Sequence, residues 1–255
     1  MISLRGRTVL RFLSAIALAA LLVKPAAAAP LAPAVHADFS YYTFALTWQP
    51  GICSTNEGCS ADQPHTVLIG LHGLWASLPR SLSDRGVVAP EWWQRGCDYF
   101  GHTDASPPLD AALKGRLEAV MPHFTGDLLT HEYDKHVACF KFDSTQFFTT
   151  ELALRDAVVG SRFGRYLLAH EGRDLAHRDL VDAFRTGFST AAGASLQLRC
   201  ERDAAGRDVL TQFWITIAAD RLDAFPGRGS LIDAPIAQDD CPAQFHLPRW
   251  PPSPR

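Results

Sequence analysis

Six cysteines constrain this chain more than any other feature: Cys53, Cys59, Cys97, Cys139, Cys200 and Cys241. They follow an N-terminal stretch in which Arg5, Arg7 and Arg11 precede an apolar run from Phe12 to Val23, with the small residues Ala26 to Ala29 behind it. That is the pattern of a secretory signal peptide, and the run is too short to span a bilayer. An even cysteine count behind an export signal predicts three disulfides formed in an oxidising compartment. Cys53 and Cys59 enclose a short polar loop and are expected to pair locally. Spacing alone leaves the other four open. No Cys-x-x-Cys occurs, which argues against a zinc ribbon or a thioredoxin-like redox site.

The signal peptide is assigned to residues 1–29, and Val35-His36-Ala37 offers a second cut as late as residue 37. Residues 38–255 are expected to form one domain ending in a Pro-rich tail, Pro242 to Arg255; a hydrophobic share of 47% is enough for one good core. Leader and disulfides together imply export to a bacterial periplasm or the extracellular medium, with no membrane attachment after cleavage. Losing the leader removes Arg5, Arg7, Arg11 and Lys24 and leaves 20 basic residues against 27 acidic, a formal charge of about −7. Such an acidic body does not coat nucleic acid by charge alone. It allows a local basic pocket on a surface that releases a polyanion.

Hydrophobic alternation predicts a half-buried strand over residues 41–48, with Tyr42, Phe44, Leu46 and Trp48 on one face. A short apolar run from Val67 to Leu71 reads as a buried strand that delivers His72 at its end. Gly70 and Gly73 around it suggest close approach to the backbone. Residues 77–106, rich in Pro, Gly, Ser and Asp, read as a long surface excursion pinned by Cys97. Leu109, Leu113 and Leu117 mark a helix, and a second is expected from about Thr130, its N-cap, to Cys139. Ser144 is expected to cap a third carrying Phe148, Leu152 and Val159. Leu196 to Cys200 and Val209 to Ala218 read as a hairpin. Clustered strands and helices without regular alternation predict an α+β fold, an antiparallel sheet packed with several helices and stabilised by disulfides.

The chemistry concentrates in His131-Glu132-Tyr133-Asp134-Lys135-His136. At roughly 100° per residue, His131, Glu132, Lys135, His136 and Cys139 share one helical face. Near neutral pH two imidazoles can serve as acid and base in one step. An ammonium can neutralise charge on a phosphoryl oxygen, and a carboxylate can hold that ammonium or a histidine in place. This set suits in-line attack of a ribose 2′-hydroxyl on its own 3′-phosphate, without metal or cofactor. A zinc hydrolase built on His131, Glu132 and His136 is the alternative. It fits less well, because a spacing of five separates the imidazoles by roughly 140° on a helix and Lys135 repels a cation. A secreted non-catalytic binding protein on the same fold is a third reading.

Two segments carry a resemblance. Ile69-Gly70-Leu71-His72-Gly73-Leu74-Trp75 resembles the H-G-L-W block of the ribonuclease T2 family of secreted endoribonucleases, and Thr130 to Cys139 resembles its H-E-W-x-K-H-G-T-C block. The stretch Phe44 to Pro50 with Cys53 is similar to the opening of such proteins. The resemblance implies a metal-independent endoribonuclease that gives 2′,3′-cyclic phosphate and then 3′-phosphate ends. His72 and His136 would be its acid–base pair, His131 a phosphate ligand, and Glu132 and Lys135 the groups that stabilise the transition state. Trp75 would be a stacking surface for a base. The pairings Cys97–Cys139 and Cys200–Cys241 are likewise implied. RNA is the implied partner of a monomer that needs no stable protein partner. Ala76, Tyr133 and Val137-Ala138 depart from the family's pattern without removing a catalytic group. Ser77 stands where some members carry an adenine-selecting aspartate, so a broad base preference is expected.

Overall fold

The computed structural model describes residues 30–251 except 57, 103, 104 and 125, so the signal-peptide expectation lies outside the described residues. Six strands form one sheet in the order β2-β1-β5-β6-β3, with β4 also paired to β5. They are β1 (Tyr41–Trp48), β2 (Ile69–Ala76), β3 (Arg173–Ala176), β4 (Leu196–Arg202), β5 (Asp208–Ala218) and β6 (Gln244–Leu247). All ladders are antiparallel except the short β5–β6 contact. Between them run α1 (Gln49–Ile52), α2 (Arg80–Ser83), α3 (Ala89–Arg95) and α4 (Ala111–Glu118), then α5 (Leu128–His136), α6 (Ser144–Gly160), α7 (Arg162–Ala169) and α8 (His177–Phe188). The fold is α+β.

Alternation gives the sheet two unlike faces. Tyr42, Phe44, Leu46 and Trp48 are all buried on one of them, and the register brings Phe213, Ile215 and Ile217 of β5 beside them. Phe163 of α7 closes on Phe213 edge to face at 5.7 Å, and Phe184 of α8 closes on Phe163 at 5.3 Å. The opposite face carries Thr43, Thr47, Gln212, Trp214 and Thr216. Aromatic burial on the first face leaves the second free for polar groups.

His72 lies inside β2 rather than at its end. Leu71 pairs with Leu46 and Gly73 with Ala45, so His72 is the extra residue of a β-bulge. The bulge shifts the parity of the strand. His72 and Trp75, three apart, therefore share the polar face, where a regular strand would have put them on opposite sides. β2 is also a sheet edge, and its outward backbone groups are occupied: Arg155 of α6 donates two hydrogen bonds to the Ile69 carbonyl, and the Leu71 N–H donates to the Val120 carbonyl.

The disulfides are Cys53–Cys59, Cys97–Cys139 and Cys200–Cys241. Several local expectations are corrected. Asp127, not Thr130, caps α5, because its carboxylate reaches the Thr130 N–H at 3.2 Å; Asp143 likewise caps α6 ahead of Ser144. α5 stops at His136, and Cys139 sits on a following 3-10 turn, Ala138–Phe140. The stretch 77–106 is no plain excursion: it holds α2 and α3, and Trp92 is buried with its indole N–H donating to the Ala76 carbonyl. The C-terminal stretch contains β6, and the Pro248 carbonyl accepts the Trp48 indole N–H at 2.7 Å, so it is tied along the sheet. At the other end, the N–H groups of Ala34 and Val35 donate to the Phe140 carbonyl, and His36 stacks on Phe100 at 3.7 Å. Among the described residues no helix is long and apolar enough to cross a membrane.

Candidate active site

α5 lies across the polar face of the sheet, over β2. Its capping Asp127 fixes where the helix starts, and Leu129 is buried beneath it. The other end is pinned by Cys97–Cys139 and by Gly96, where any Cβ would come within 2.2 Å of the Lys135 carbonyl oxygen. His72, Trp75, His131, Glu132, Lys135 and His136 consequently line one cavity of about 240 Å³. Trp92, Trp93 and Trp214 form part of its walls. The sequence offered no sign that the two tryptophans ahead of Cys97 belonged to it.

Glu132 is the buried centre of the cavity, 2% exposed. Trp75 Nε1 donates to its Oε2 at 2.6 Å, and His72 Nε2 lies 3.3 Å from its Oε1. Of the two roles open to a carboxylate here, it holds a histidine. Burial alone would raise the Glu132 carboxyl; the charge and hydrogen bond of His72, followed by His136 and the Trp75 indole, outweigh it and keep the group below its usual range. The close approach suggested by Gly73 is this carboxylate, since a Cβ at that position would stand 2.0 Å from Glu132 Oε2. Gly73→Ala is therefore expected to push α5 off the strand. It should cost about 1–3 kcal/mol in a denaturant titration, as overpacking does, and lower activity by more than its effect on the folded fraction. Unchanged activity in that variant would mean that the Glu132 contact is dispensable.

His136 ends the helix behind the Trp75 ring, their centres 5.3 Å apart. Burial pushes its imidazole down to about 4; Glu132 opposes this, while the positive charges of Lys135, His131 and His72 add to it. His131 is exposed at the mouth, with Lys135 half-buried one turn further along. Trp75 itself is partly exposed and packs edge to face against both His72, at 5.2 Å, and Trp214, at 5.3 Å. Ser77 is engaged elsewhere: its hydroxyl oxygen accepts from the N–H groups of Ser40 and Tyr41 at 3.1 and 3.2 Å.

Four further side chains escaped the sequence. Gln212 of β5 has its Oε1 3.0 Å from His72 Nδ1, and Trp214 Nε1 donates to that same oxygen at 3.0 Å. The Arg199 guanidinium of β4 covers the Trp214 ring at 4.9 Å. Alternation in β5 puts Gln212 and Trp214 on one face, but nothing local says that this face meets His72. Glu151 of α6 is buried behind β2; burial, with Glu132 nearby, raises its carboxyl well above the usual range. Among the described residues no group of three or more His, Cys, Asp or Glu side chains is placed to hold a metal ion.

Comparison with known proteins places these features in a family. The model of the "Ribonuclease T2 family" matches residues 39–227. Ribonuclease I of Escherichia coli K12 is 29% identical over 225 residues, which covers 78% of this chain and 83% of that protein. Among solved structures, RNase NT in complex with 5′-AMP superposes with a TM-score of 0.60 at 19% identity, over 84% of this chain and all (100%) of the other. The self-incompatibility associated SF11-RNase of Nicotiana alata gives 0.57 at 19% identity, over 81% and 96%. Ribonuclease MC1 from bitter gourd seeds gives 0.55 at 20% identity, over 81% and 99%. At these identities the structural likeness speaks for the fold.

Proposed function

This chain belongs to the ribonuclease T2 family and is an RNA-cleaving enzyme, and from that premise we propose that it cleaves single-stranded RNA by attack of a ribose 2′-hydroxyl on the adjacent phosphate. In this reading His136 takes the proton from the 2′-hydroxyl. His72 gives one to the departing 5′-oxygen, leaving a 2′,3′-cyclic phosphate. The two then exchange roles as water opens the ring to a 3′-phosphate. His131 holds the phosphate from the mouth of the cavity. Lys135, with Glu132 setting the charge of the histidines around it, offsets the charge that builds on the pentacoordinate phosphorus. Trp75 offers a face to a base.

The observation that carries this reading is the opposite surroundings of the two central imidazoles. Burial holds His136 at about 4, so at neutral pH it is uncharged and able to accept a proton. His72 sets its Nε2 3.3 Å from the Glu132 carboxylate and its Nδ1 3.0 Å from the Gln212 amide oxygen, two acceptors that can hold hydrogen on the ring. One imidazole kept free of its proton and one set between acceptors that hold hydrogen fit the two halves of an acid–base pair. The test follows from the sign of the His136 shift. The base is lost only as pH falls through the lowered value, so the acidic limb of kcat/KM, which reports the free enzyme, is expected near pH 4 rather than near 6.5. An acidic limb close to the ordinary imidazole value would remove His136 from the role of base.

Broad base preference is supported by the Ser77 hydroxyl oxygen, which is occupied by backbone. We propose further that the chain works as a monomer without cofactor, since His72, His131, Glu132, Lys135 and His136 gather acid, base and cationic groups in one cavity. It is proposed to be exported with its three disulfides formed. Cleavage after Ala29 is the reading preferred here, because a cut after Ala37 would remove the segment whose Ala34 and Val35 N–H groups donate to Phe140.

A further inference from the structure

We infer that Gln212, oriented by Trp214, is a positioning residue that keeps a proton on His72 Nδ1, so that the ring gives up its other proton from Nε2. The inference rests on the reading of His72 as the acid. The indole N–H of Trp214 can only donate, so the Gln212 atom it meets at 3.0 Å must be the amide oxygen. An amide oxygen can only accept. The His72 nitrogen 3.0 Å from it, Nδ1, must therefore carry hydrogen. That leaves Nε2 as the atom that changes protonation, and Nε2 is the one facing Glu132 and the cavity. Without the Trp214 anchor the amide is free to turn and present its NH2 group to Nδ1. That would favour the tautomer protonated at Nε2 alone, which gives its proton less readily.

When the 5′-oxygen departs, the Nε2–H bond breaks, a new O–H bond forms, and the ring is left neutral with its Nδ1 proton still on Gln212. Arg199 over Trp214 holds the far end of the chain of contacts. The charged and titratable groups around His72 are Glu132, His131, Lys135 and His136 from α5, Asp127 at its N-cap, and Glu201 beside Gln212. Substitution at Gln212 alters none of them. Gln212 is partly exposed on the sheet face, so its replacement need not disturb the core.

The experiment compares Gln212→Leu, Gln212→Glu and Trp214→Phe in the full, oxidised protein. It uses pH profiles of RNA cleavage together with nitrogen-15 NMR of the His72 ring, assigned with His72→Phe. Gln212→Leu is expected to lower kcat by about ten- to a hundredfold, the range for losing one hydrogen bond to a charged group. KM should stay nearly unchanged, and the alkaline limb, where His72 loses its proton, should move to lower pH. Gln212→Glu keeps an acceptor and adds negative charge, so its alkaline limb should move to higher pH. Trp214→Phe should follow the leucine variant. In the wild type the Nδ1 hydrogen should appear as a bonded N–H that vanishes in Gln212→Leu. An Nδ1 hydrogen unaffected by that change overturns the inference, and so do limbs of the two Gln212 variants that move together. A lost Nδ1 hydrogen with the alkaline limb unmoved also overturns it, and places the fault in the assignment of His72 as the acid.

Discussion

His136→Phe is expected to reduce RNA cleavage by about 10²–10⁴-fold, the usual contribution of one positioned acid or base, without loss of stability. The wild-type imidazole is neutral at pH 7, since burial holds it at about 4, so phenylalanine removes no charge. The flat ring also keeps its place behind Trp75, 5.3 Å away. His72→Phe should lose rate to a similar extent but also destabilise the protein. It takes from Glu132, 2% exposed, the imidazole whose Nε2 lies 3.3 Å from it and leaves the Trp75 indole as the hydrogen-bond donor the structure gives it. Uncompensated buried charges of this kind cost about 3–5 kcal/mol, and partial solvent access at His72 should place this one at the lower end. Cleavage assays with denaturant titrations separate the two effects. Near-full activity in either variant would sink the acid–base pair. Equal stability losses in both would sink the distinction between His72, which holds Glu132, and His136, which does not.

The second large effect concerns the substrate. A DNA strand of the same sequence has no 2′-hydroxyl and should show no cleavage at all, however well it binds. RNA should give fragments ending in a 2′,3′-cyclic phosphate, with a free 5′-hydroxyl on the other side of the cut, followed by slower appearance of 3′-phosphate. Excess chelator should change neither result, because Lys135 supplies the positive charge in this reading. The zinc alternative predicts otherwise. A metal-activated water would leave no cyclic intermediate, could act on DNA, and would stop on chelation. Mass spectrometry of the ends from matched RNA and DNA, with and without chelator, decides the matter. Cleaved DNA, 5′-phosphate ends, or chelator sensitivity would each be enough to discard the proposal.

Much of this protein was legible in the sequence wherever the determining interactions are local. The strand Tyr41–Trp48 announces its buried face by alternation, because successive side chains of a strand point to opposite sides. The helix that carries His131, Glu132, Lys135 and His136 follows from spacing, because residues three and four apart on a helix are neighbours. The β4–β5 hairpin is marked by two apolar runs about a short turn. Even the glycine beside His72 could be read as a place of close approach, though not what approaches.

Only the tertiary structure decided how these pieces meet. Sequence parity puts His72 and Trp75 on opposite faces, and a bulge at His72, fixed by pairing with a strand some 25 residues earlier, puts them on one. The same long-range register carries Gln212 to His72 across 140 residues of chain, a contact for which no local pattern exists. The partner of Glu132, the lowered imidazole of His136 and the donor role of the Trp75 indole depend on what surrounds each group in space. Burial and charge act through distance rather than sequence separation. The sequence by itself therefore determined which groups are present, and the fold decided what each of them faces.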